Sequence, residues 1–558
     1  MNLVHNGYMG NILRINLTSG KVNIEPLPDE LVQQFVGGRG FGAKLLFDEL
    51  KPGTDPFSPE NKLIFKCGPL AETLAQSCSR WIVTTKSPLT GGIFRSSAGG
   101  GFGAELKSAG YDVLIVEGKA DRPVYLWIQD EKIELRDAGS LVGRLSHETT
   151  ESLRRDLQDS RIKVAAIGPG GEKMVRFAAI VDERRTASRG GVGAVMGSKN
   201  LKAIAVRGSK RPNIANREKL LTLTKKQGAD VKTEPRFQGF RHLGTAVAVG
   251  FCHDLGIYPI KNFQEGVFPE VEGRLTGAEV EKIFVRDVYC RSCPVHCGSI
   301  LKVKEGLYAG DEVEGPEYET LYSFGGEVGN SDLGMVIEAN RICDDYGVDT
   351  MTAGATIGFA MECYEKGILT GNDLDGIDLT WGNHTAIIAL LKKIVKREGI
   401  GDLLAEGSRY AARKIGKGSE VYAMQVKGLE LAGYDPRGLK GLALNYATAA
   451  FGASHCVGQC PQEVMGTGPS HRFVVEGKGA LCKMNQDKVA SFETGIVCIF
   501  PMQFNLIDFK ALAEMLYAVT GIEAFGSVDY IRQVGERIWN MERAFNVREG
   551  FSRKDDKL

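Results

Sequence analysis

Three cysteines fall within eight residues, at Cys290-Arg-Ser-Cys293-Pro-Val-His-Cys297. No other run constrains the chain as strongly. Thiolates are soft ligands, and this C-x2-C-x3-C spacing lets one loop wrap one metal centre. Three readings stay open on spacing alone: an iron–sulfur cubane with a fourth ligand elsewhere, a zinc site completed by His296, or buried inert thiols. The other cysteines are scattered. Cys456 and Cys460 form a C-x3-C pair, and Cys498 closes the segment Glu493-Thr-Gly-Ile-Val-Cys498. Spacing does not choose the fourth ligand.

The chain has 558 residues with 12 cysteines, 69 Lys+Arg and 69 Asp+Glu. Zero formal charge gives no reason to expect nucleic acid or an anionic membrane as partner. The start has neither the basic end nor the apolar run of a secretory leader. No apolar stretch approaches the ~18 residues of a membrane helix. The expectation is a cytoplasmic protein whose clustered cysteines bind metal rather than form disulfides. Glycine is unusually frequent, at 70 residues, and gathers in the first 200.

The first ~208 residues read as β-rich. Residues 12–17 alternate apolar and polar, turn at Thr18-Ser19-Gly20 and resume over 21–24, a hairpin pattern. Short apolar runs follow at 63–65, 81–84, 113–117, 124–128, 164–167, 177–181 and 203–206. Their close spacing favours sheets or a sandwich over βαβ units. Helix signals then dominate. A capping box at Thr276 and Glu279 opens a helix toward Val285, and helical spacing recurs over 385–398, 402–415, 508–520 and 527–546. The fold class is α+β, a β-rich N-terminal domain (1–208) followed by two mainly α-helical domains (209–420 and 421–558).

Several segments resemble the tungsten-dependent aldehyde:ferredoxin oxidoreductase family, in that family's order. They are Gly10-Asn-Ile-Leu-Arg-Ile-Asn-Leu, Gly37-Gly-Arg-Gly40, Ser87-Pro-Leu-Thr-Gly91, Gly110-Tyr-Asp112 and the run from Arg189 to Lys202. The three-cysteine loop, Gly315-Pro-Glu-Tyr-Glu-Thr320 and Asp435-Pro-Arg-Gly438 follow. The resemblance implies two molybdopterins holding one tungsten (or molybdenum), a 4Fe–4S cluster beside one pterin, and a magnesium ion bridging the pterins. It implies electron transfer to ferredoxin or an iron–sulfur subunit, an aldehyde or acid substrate, and a homo-oligomer or a subunit of a complex.

Site residues carry over by motif. The resemblance makes Cys290, Cys293, Cys297 and Cys498 the cluster ligands. Of the family's two D-x-x-G-[LI]-[DC] pterin motifs, Asp344-Asp-Tyr-Gly347-Val348-Asp349 matches the first. Glu493-Thr-Gly-Ile496-Val497-Cys498 matches the second, with Glu for Asp and Ile for Gly. Glycines admit close backbone approach to phosphates; Gly37-Gly-Arg-Gly40, Gly99 and Gly100 suit that task. Arg39, Arg80, Arg185 and Arg189 are candidate phosphate or pterin partners. Carbonyls of Ser97 and Thr186 match the magnesium ligands. Glu317 and His455 match the acid and imidazole near the metal, with Glu314 and Glu319 as close alternatives. Where some members bind an interface iron with E-x-x-H, this chain has Glu338-Ala-Asn-Arg341, so no such metal is expected. His253, Cys456 and Cys460 fall near the family's substrate channel.

The favoured expectation is an oxidoreductase interconverting aldehydes and carboxylic acids. The alternatives are a benzoyl-CoA reductase-like enzyme acting on an activated aromatic acid, and a non-catalytic electron-transfer subunit.

Overall fold

The computed structural model describes residues 5–466 and 470–558, with the backbone alone of Met465. Residues 1–4, part of the start read from the sequence, lie outside the described residues. Two six-stranded sheets fill the N-terminal part. The first comprises β1 (Asn11–Asn16), β2 (Lys21–Pro26), β3 (Leu63–Lys66), β4 (Trp81–Lys86), β5 (Ile93–Ala98) and β6 (Val113–Glu117), in the order β2-β1-β6-β3-β4-β5. The second holds β7 (Val124–Gln129), β8 (Lys132–Asp137), β9 (Lys163–Ala166), β10 (Ile180–Asp182), β11 (Arg185–Ala187) and β12 (Leu201–Arg207), ordered β11-β10-β9-β12-β7-β8.

Side-chain alternation explains the layering. Leu63, Phe65, Leu114 and Val116 face the second sheet, meeting Leu126, Ile128, Ile204 and Val206 in one core. Their neighbours Ile64, Val113 and Ile115 face the opposite way, into a core shared with the helices Gly38–Glu49 and Val528–Arg548. β5, β8 and β11 lie outside the apolar runs read from sequence. β8 is a partly exposed edge strand, and β5 carries Arg95, Ser96 and Ser97 for a reason given below. The sheets are mixed, with β1–β6 and β7–β12 running parallel.

Beyond residue 208 helices dominate. Asp332, Asp508 and Ser527 each cap a helix by accepting from a backbone N–H three residues on. Two helix expectations need correction. The segment after Thr276 is only Gly277–Lys282, Thr276 makes no side-chain cap, and a strand, Phe284–Val288, follows at once. The 402–415 helix is two, Ile400–Leu404 and Ser408–Ile415, because Gly407 at φ 85° breaks it. The strands Phe284–Val288, Gly298–Leu301 and Val313–Glu314 form a small sheet, and the three-cysteine loop joins the first two. No helix among the described residues is long and apolar enough to cross a membrane.

Candidate active site and metal centre

Ser292 (φ 55°) and His296 (φ 54°) bend the cysteine loop through left-handed conformations. Cys498 reaches it from more than 200 residues away. The bridge is Ser77, whose N–H donates to the Ser292 carbonyl (3.1 Å), whose carbonyl accepts from Cys498 N–H (2.9 Å), and whose Oγ lies 3.4 Å from Cys293 Sγ. Gly99 is required here, because a Cβ at that position would stand 2.4 Å from Cys290 Sγ. Burial and neighbouring thiols push Cys293 up to about 11, Cys297 well above the usual range and Cys498 upward. The guanidiniums of Arg80 and Arg185 oppose that rise at Cys498 and Cys297.

The spacing of the sulfurs bears on the zinc alternative. A tetrahedral zinc at ~2.3 Å from each sulfur holds them roughly 3.8 Å apart. Among the described residues the one trio of His, Cys, Asp or Glu ligand atoms within 4.8 Å of one another is elsewhere, at His253, Asp254 and Glu272. His296 is also engaged, with Nδ1 2.7 Å from Asp287 and its ring stacked on Tyr289 at 4.0 Å. The open arrangement suits a polynuclear cluster better than one zinc ion.

Arg80 is a charge neighbour of Cys290 and Cys498 in this thiol group and of Cys456 and Glu493 beyond it. It donates to the carbonyl (3.2 Å) and hydroxyl (3.0 Å) of Ser97; burial, the largest single effect, lowers its pKa, but Cys498, Cys290, Cys456 and Glu493 together raise it above the usual value. Arg185 pairs with Glu314 (2.7 Å) and, more loosely, Glu317 (3.5 Å), and its neighbour Thr186 pairs with Val181 in the hairpin of β10 and β11. Gly100, at φ 88°, leaves room for the Asp182 carboxylate, which accepts from the N–H groups of Gly101 (3.0 Å) and Phe102 (2.8 Å).

The helix Leu333–Tyr346 brings Asp344 to the same region and ends on Gly347 at φ 68°. Asp344 accepts from Asn340 (2.9 Å), and burial pushes its carboxyl well above the usual range. Val348 makes a bridge with Ala178; Asp349 caps the next helix through Thr352 and faces Arg189 at 3.4 Å. Glu493 lies between two guanidiniums, Arg39 at 3.0 Å and Arg95 at 2.9 Å, near the buried Val497. Arg39 is fully buried and forks onto Glu542 at 2.8 and 2.7 Å, so it serves an internal ion network rather than an open phosphate seat. Gly37 and Gly38 serve the same contact: added Cβ atoms would meet the carbonyls of Thr494 at 2.7 Å and Glu493 at 2.1 Å.

His455 pairs through Nδ1 with Glu319 at 3.2 Å, and its Nε2 lies 3.1 Å from Cys456 Sγ. Glu319 also accepts from Gly433 N–H (2.8 Å). Burial lowers the imidazole pKa and raises that of the carboxyl, so both shifts favour the neutral pair, which shares one acidic proton. Glu317 is not there. It is half-exposed, accepts from Thr245 at 2.5 Å and belongs to the Arg185 side. The helix Tyr318–Ser323 explains the split, because Glu317, its N-cap, and Glu319, two positions on, point in different directions.

Other candidates are placed apart. Cys460 is buried next to Asn485, Cys482 and Glu463, and His253 Nε2 accepts from Phe268 N–H (3.1 Å). Arg341 forks onto Glu338 at 2.7 and 2.9 Å. Sequence reasoning missed Arg95, which also donates to the Cys456 carbonyl (3.2 Å). The signal was present: Arg95 and Ser97 share one face of β5 by strand alternation. Several buried atoms here lack an aligned hydrogen-bond partner, among them Arg95 Nε, Arg189 Nε, Asp349 Oδ1 and His455 Nδ1. A polar lining with such open valences fits a large, polar, multiply hydrogen-bonding group.

The comparisons with known proteins agree along the whole chain. The model of the aldehyde ferredoxin oxidoreductase N-terminal domain matches residues 12–208, and that of domains 2 and 3 matches 222–558. A tungsten-containing aldehyde ferredoxin oxidoreductase of Pyrococcus furiosus is 42% identical over 560 residues, covering 99% of this chain and 91% of the relative. Its counterpart in Pyrococcus horikoshii is 43% identical with the same coverage. The solved active-site complex BamBC of benzoyl coenzyme A reductase, with 1,5-dienoyl-CoA, superposes with a TM-score of 0.86 at 30% identity, covering 99% and 91% of the two chains. The chain is therefore an enzyme, an oxidoreductase that belongs to the aldehyde ferredoxin oxidoreductase family.

Proposed function

We propose that this chain interconverts aldehydes and carboxylic acids and passes the electrons singly to ferredoxin or an iron–sulfur partner subunit in the cytoplasm. The observation that carries the reading is the gathering of Cys290, Cys293, Cys297 and Cys498, with Arg80 a charge neighbour of Cys290 and Cys498 and also of Cys456, whose Sγ lies 3.1 Å from His455 of the Glu319–His455 pair. The four thiols would hold a 4Fe–4S cluster. A tungsten ion (or molybdenum) held by two pyranopterins supplies, when bound, the two-electron oxidation itself.

The chain's own residues bind and manage protons. Arg80, Arg185 and Arg189 would compensate pterin phosphates, with Gly99 and Gly100 giving backbone access. Asp344 and the Gly347–Val348–Asp349 turn would accept ring N–H donors. Glu493 and Val497 would flank the second pterin, with Glu493 held by its two arginines. Carbonyls of Ser97 and Thr186 would hold the bridging magnesium. His455 and Glu319 would hold or move a proton at the substrate oxygen, so the acid role assigned from sequence to Glu317 passes to Glu319.

The structural likeness to benzoyl coenzyme A reductase supports a second reading, reduction of an activated aromatic acid. One assay separates the two. Holoenzyme given benzyl viologen should reduce the dye with free aldehydes and leave dienoyl-CoA thioesters unchanged. Turnover of the thioester without aldehyde activity would overturn the first reading in favour of the second.

A further inference from the structure

Cys456 belongs neither to the thiol group of the cysteine loop nor to the buried core, and its side chain is partly exposed. Its Sγ lies 3.1 Å from His455 Nε2, and His455 Nδ1 lies 3.2 Å from Glu319. One tautomer serves both contacts, with Nδ1–H directed at the carboxyl group and Nε2 accepting from the thiol. Thiol, imidazole and carboxyl in that order match a nucleophile, its base and the group that orients the base. The Nδ1 contact is close but not aligned, and catalytic contacts of this kind tighten when substrate binds.

The turn that presents this thiol is held at its carbonyls by side chains. Ala453 accepts from Arg189 (3.0 Å), Ser454 from Asn445 (3.0 Å) and Cys456 itself from Arg95 (3.2 Å). Asn445 is in turn fixed by Gln486 (3.1 Å), and Gly458 leaves it room, since a Cβ there would stand 2.3 Å from its Oδ1. Other thiols are placed differently: Cys67, Cys78 and Cys460 donate to backbone carbonyls, the contact of a cysteine that only packs. Desolvation pushes the Cys456 thiol pKa up, opposed by Arg95 and Arg80. At neutral pH the sulfur therefore keeps its proton and needs a base beside it to react.

We propose that Cys456 is the nucleophile that captures the aldehyde covalently, with His455 as its base and Glu319 orienting the imidazole. This role rests on the aldehyde reading, in which RCHO + H2O gives RCOOH, two protons and two electrons. The sulfur bonds to the carbonyl carbon as the C=O π bond breaks, and the thiol proton passes through His455 Nε2 to the oxygen. The product is a thiohemiacetal, RCH(OH)–S–Cys456. Loss of two electrons and two protons from its C–H and O–H bonds gives the thioester RC(O)–S–Cys456, the electrons leaving to ferredoxin or a viologen dye. Water then attacks the thioester carbonyl, His455 takes its proton and returns it to the leaving sulfur, and RCOOH and the free thiol result. Cys456 touches substrate; Glu319 is a positioning residue.

The test uses holoenzyme and Cys456→Ser, which keeps nearly the same volume and a donor to His455 but is a far poorer nucleophile. With acetaldehyde and benzyl viologen its kcat should fall by about 10²-fold or more, with metal content unchanged. A second substrate, p-nitrophenyl acetate, forms the same acetyl thioester without any redox step. Wild-type holoenzyme should hydrolyse it, and Cys456→Ser and His455→Phe should lose that activity. Acid quenching of the wild-type reaction with this ester, followed by digestion and mass spectrometry, should find an acetyl group on the peptide that carries Cys456. Should Cys456→Ser fail to load its metal, this acetyl peptide decides the matter on wild-type protein alone. Unchanged aldehyde turnover in metal-loaded Cys456→Ser, or an acetyl group on another cysteine or on none, would overturn the covalent route. Wild-type enzyme inactive on aldehydes would instead overturn the function proposed above, while the esterase activity and the acetyl peptide still report whether Cys456 is an activated nucleophile.

Discussion

Replacing His455 with Phe should leave tungsten and iron in place and cut aldehyde turnover by about 10²–10⁴-fold, the usual worth of a positioned acid or base. Phenylalanine fills most of the imidazole volume against Tyr434, whose ring centroid lies 5.4 Å away, so a packing role would survive the swap. Glu319→Gln should fall comparably, because the amide can still accept from Gly433 but cannot carry the proton shared with His455. Glu317→Gln should stay near the wild-type rate, since that side chain is half-exposed on the Arg185 side. Initial rates on metal-verified protein decide the matter. Normal turnover in both His455→Phe and Glu319→Gln would remove the pair from the chemistry.

Cys498→Ala should lose or degrade the cluster. Three thiolates of one loop leave the fourth iron without a protein ligand, and Cys498 is the thiol that Ser77 ties to that loop. Iron content and the visible absorption of the cluster should drop, while helical content by circular dichroism stays near that of the wild type. Cys460→Ala should keep full iron, because Cys460 packs with Cys482 and Glu463 instead. Intact cluster spectra in Cys498→Ala, with loss in Cys460→Ala, would reverse the ligand assignment.

Local signals carried far in this chain. The hairpin of β1 and β2 was legible from period-2 alternation, and Asp508 and Ser527 announced their helices because capping is a short-range interaction. The three-cysteine loop was legible for the same reason. Long-range pairing was not. Nothing in the spacing of Glu493 says that Arg39 and Arg95 take both its oxygens, since those partners lie more than 390 residues away. Gly37 and Gly38 read as phosphate-cradling residues, yet they make room for the 493–494 backbone, a contact that only the folded chain creates. Glu317 and Glu319 sit two positions apart on one motif, and only the helix geometry of Tyr318–Ser323 separates the acid that meets His455 from the one that does not.

Elemental analysis of the anaerobically purified holoenzyme tests the central claim most directly. A bis-pterin oxidoreductase with one cubane should contain about one tungsten (or molybdenum) and about four irons per chain, with matching acid-labile sulfide. Iron and sulfide without tungsten or molybdenum would instead mark an electron-transfer subunit, and zinc in place of iron would contradict the cluster assignment itself.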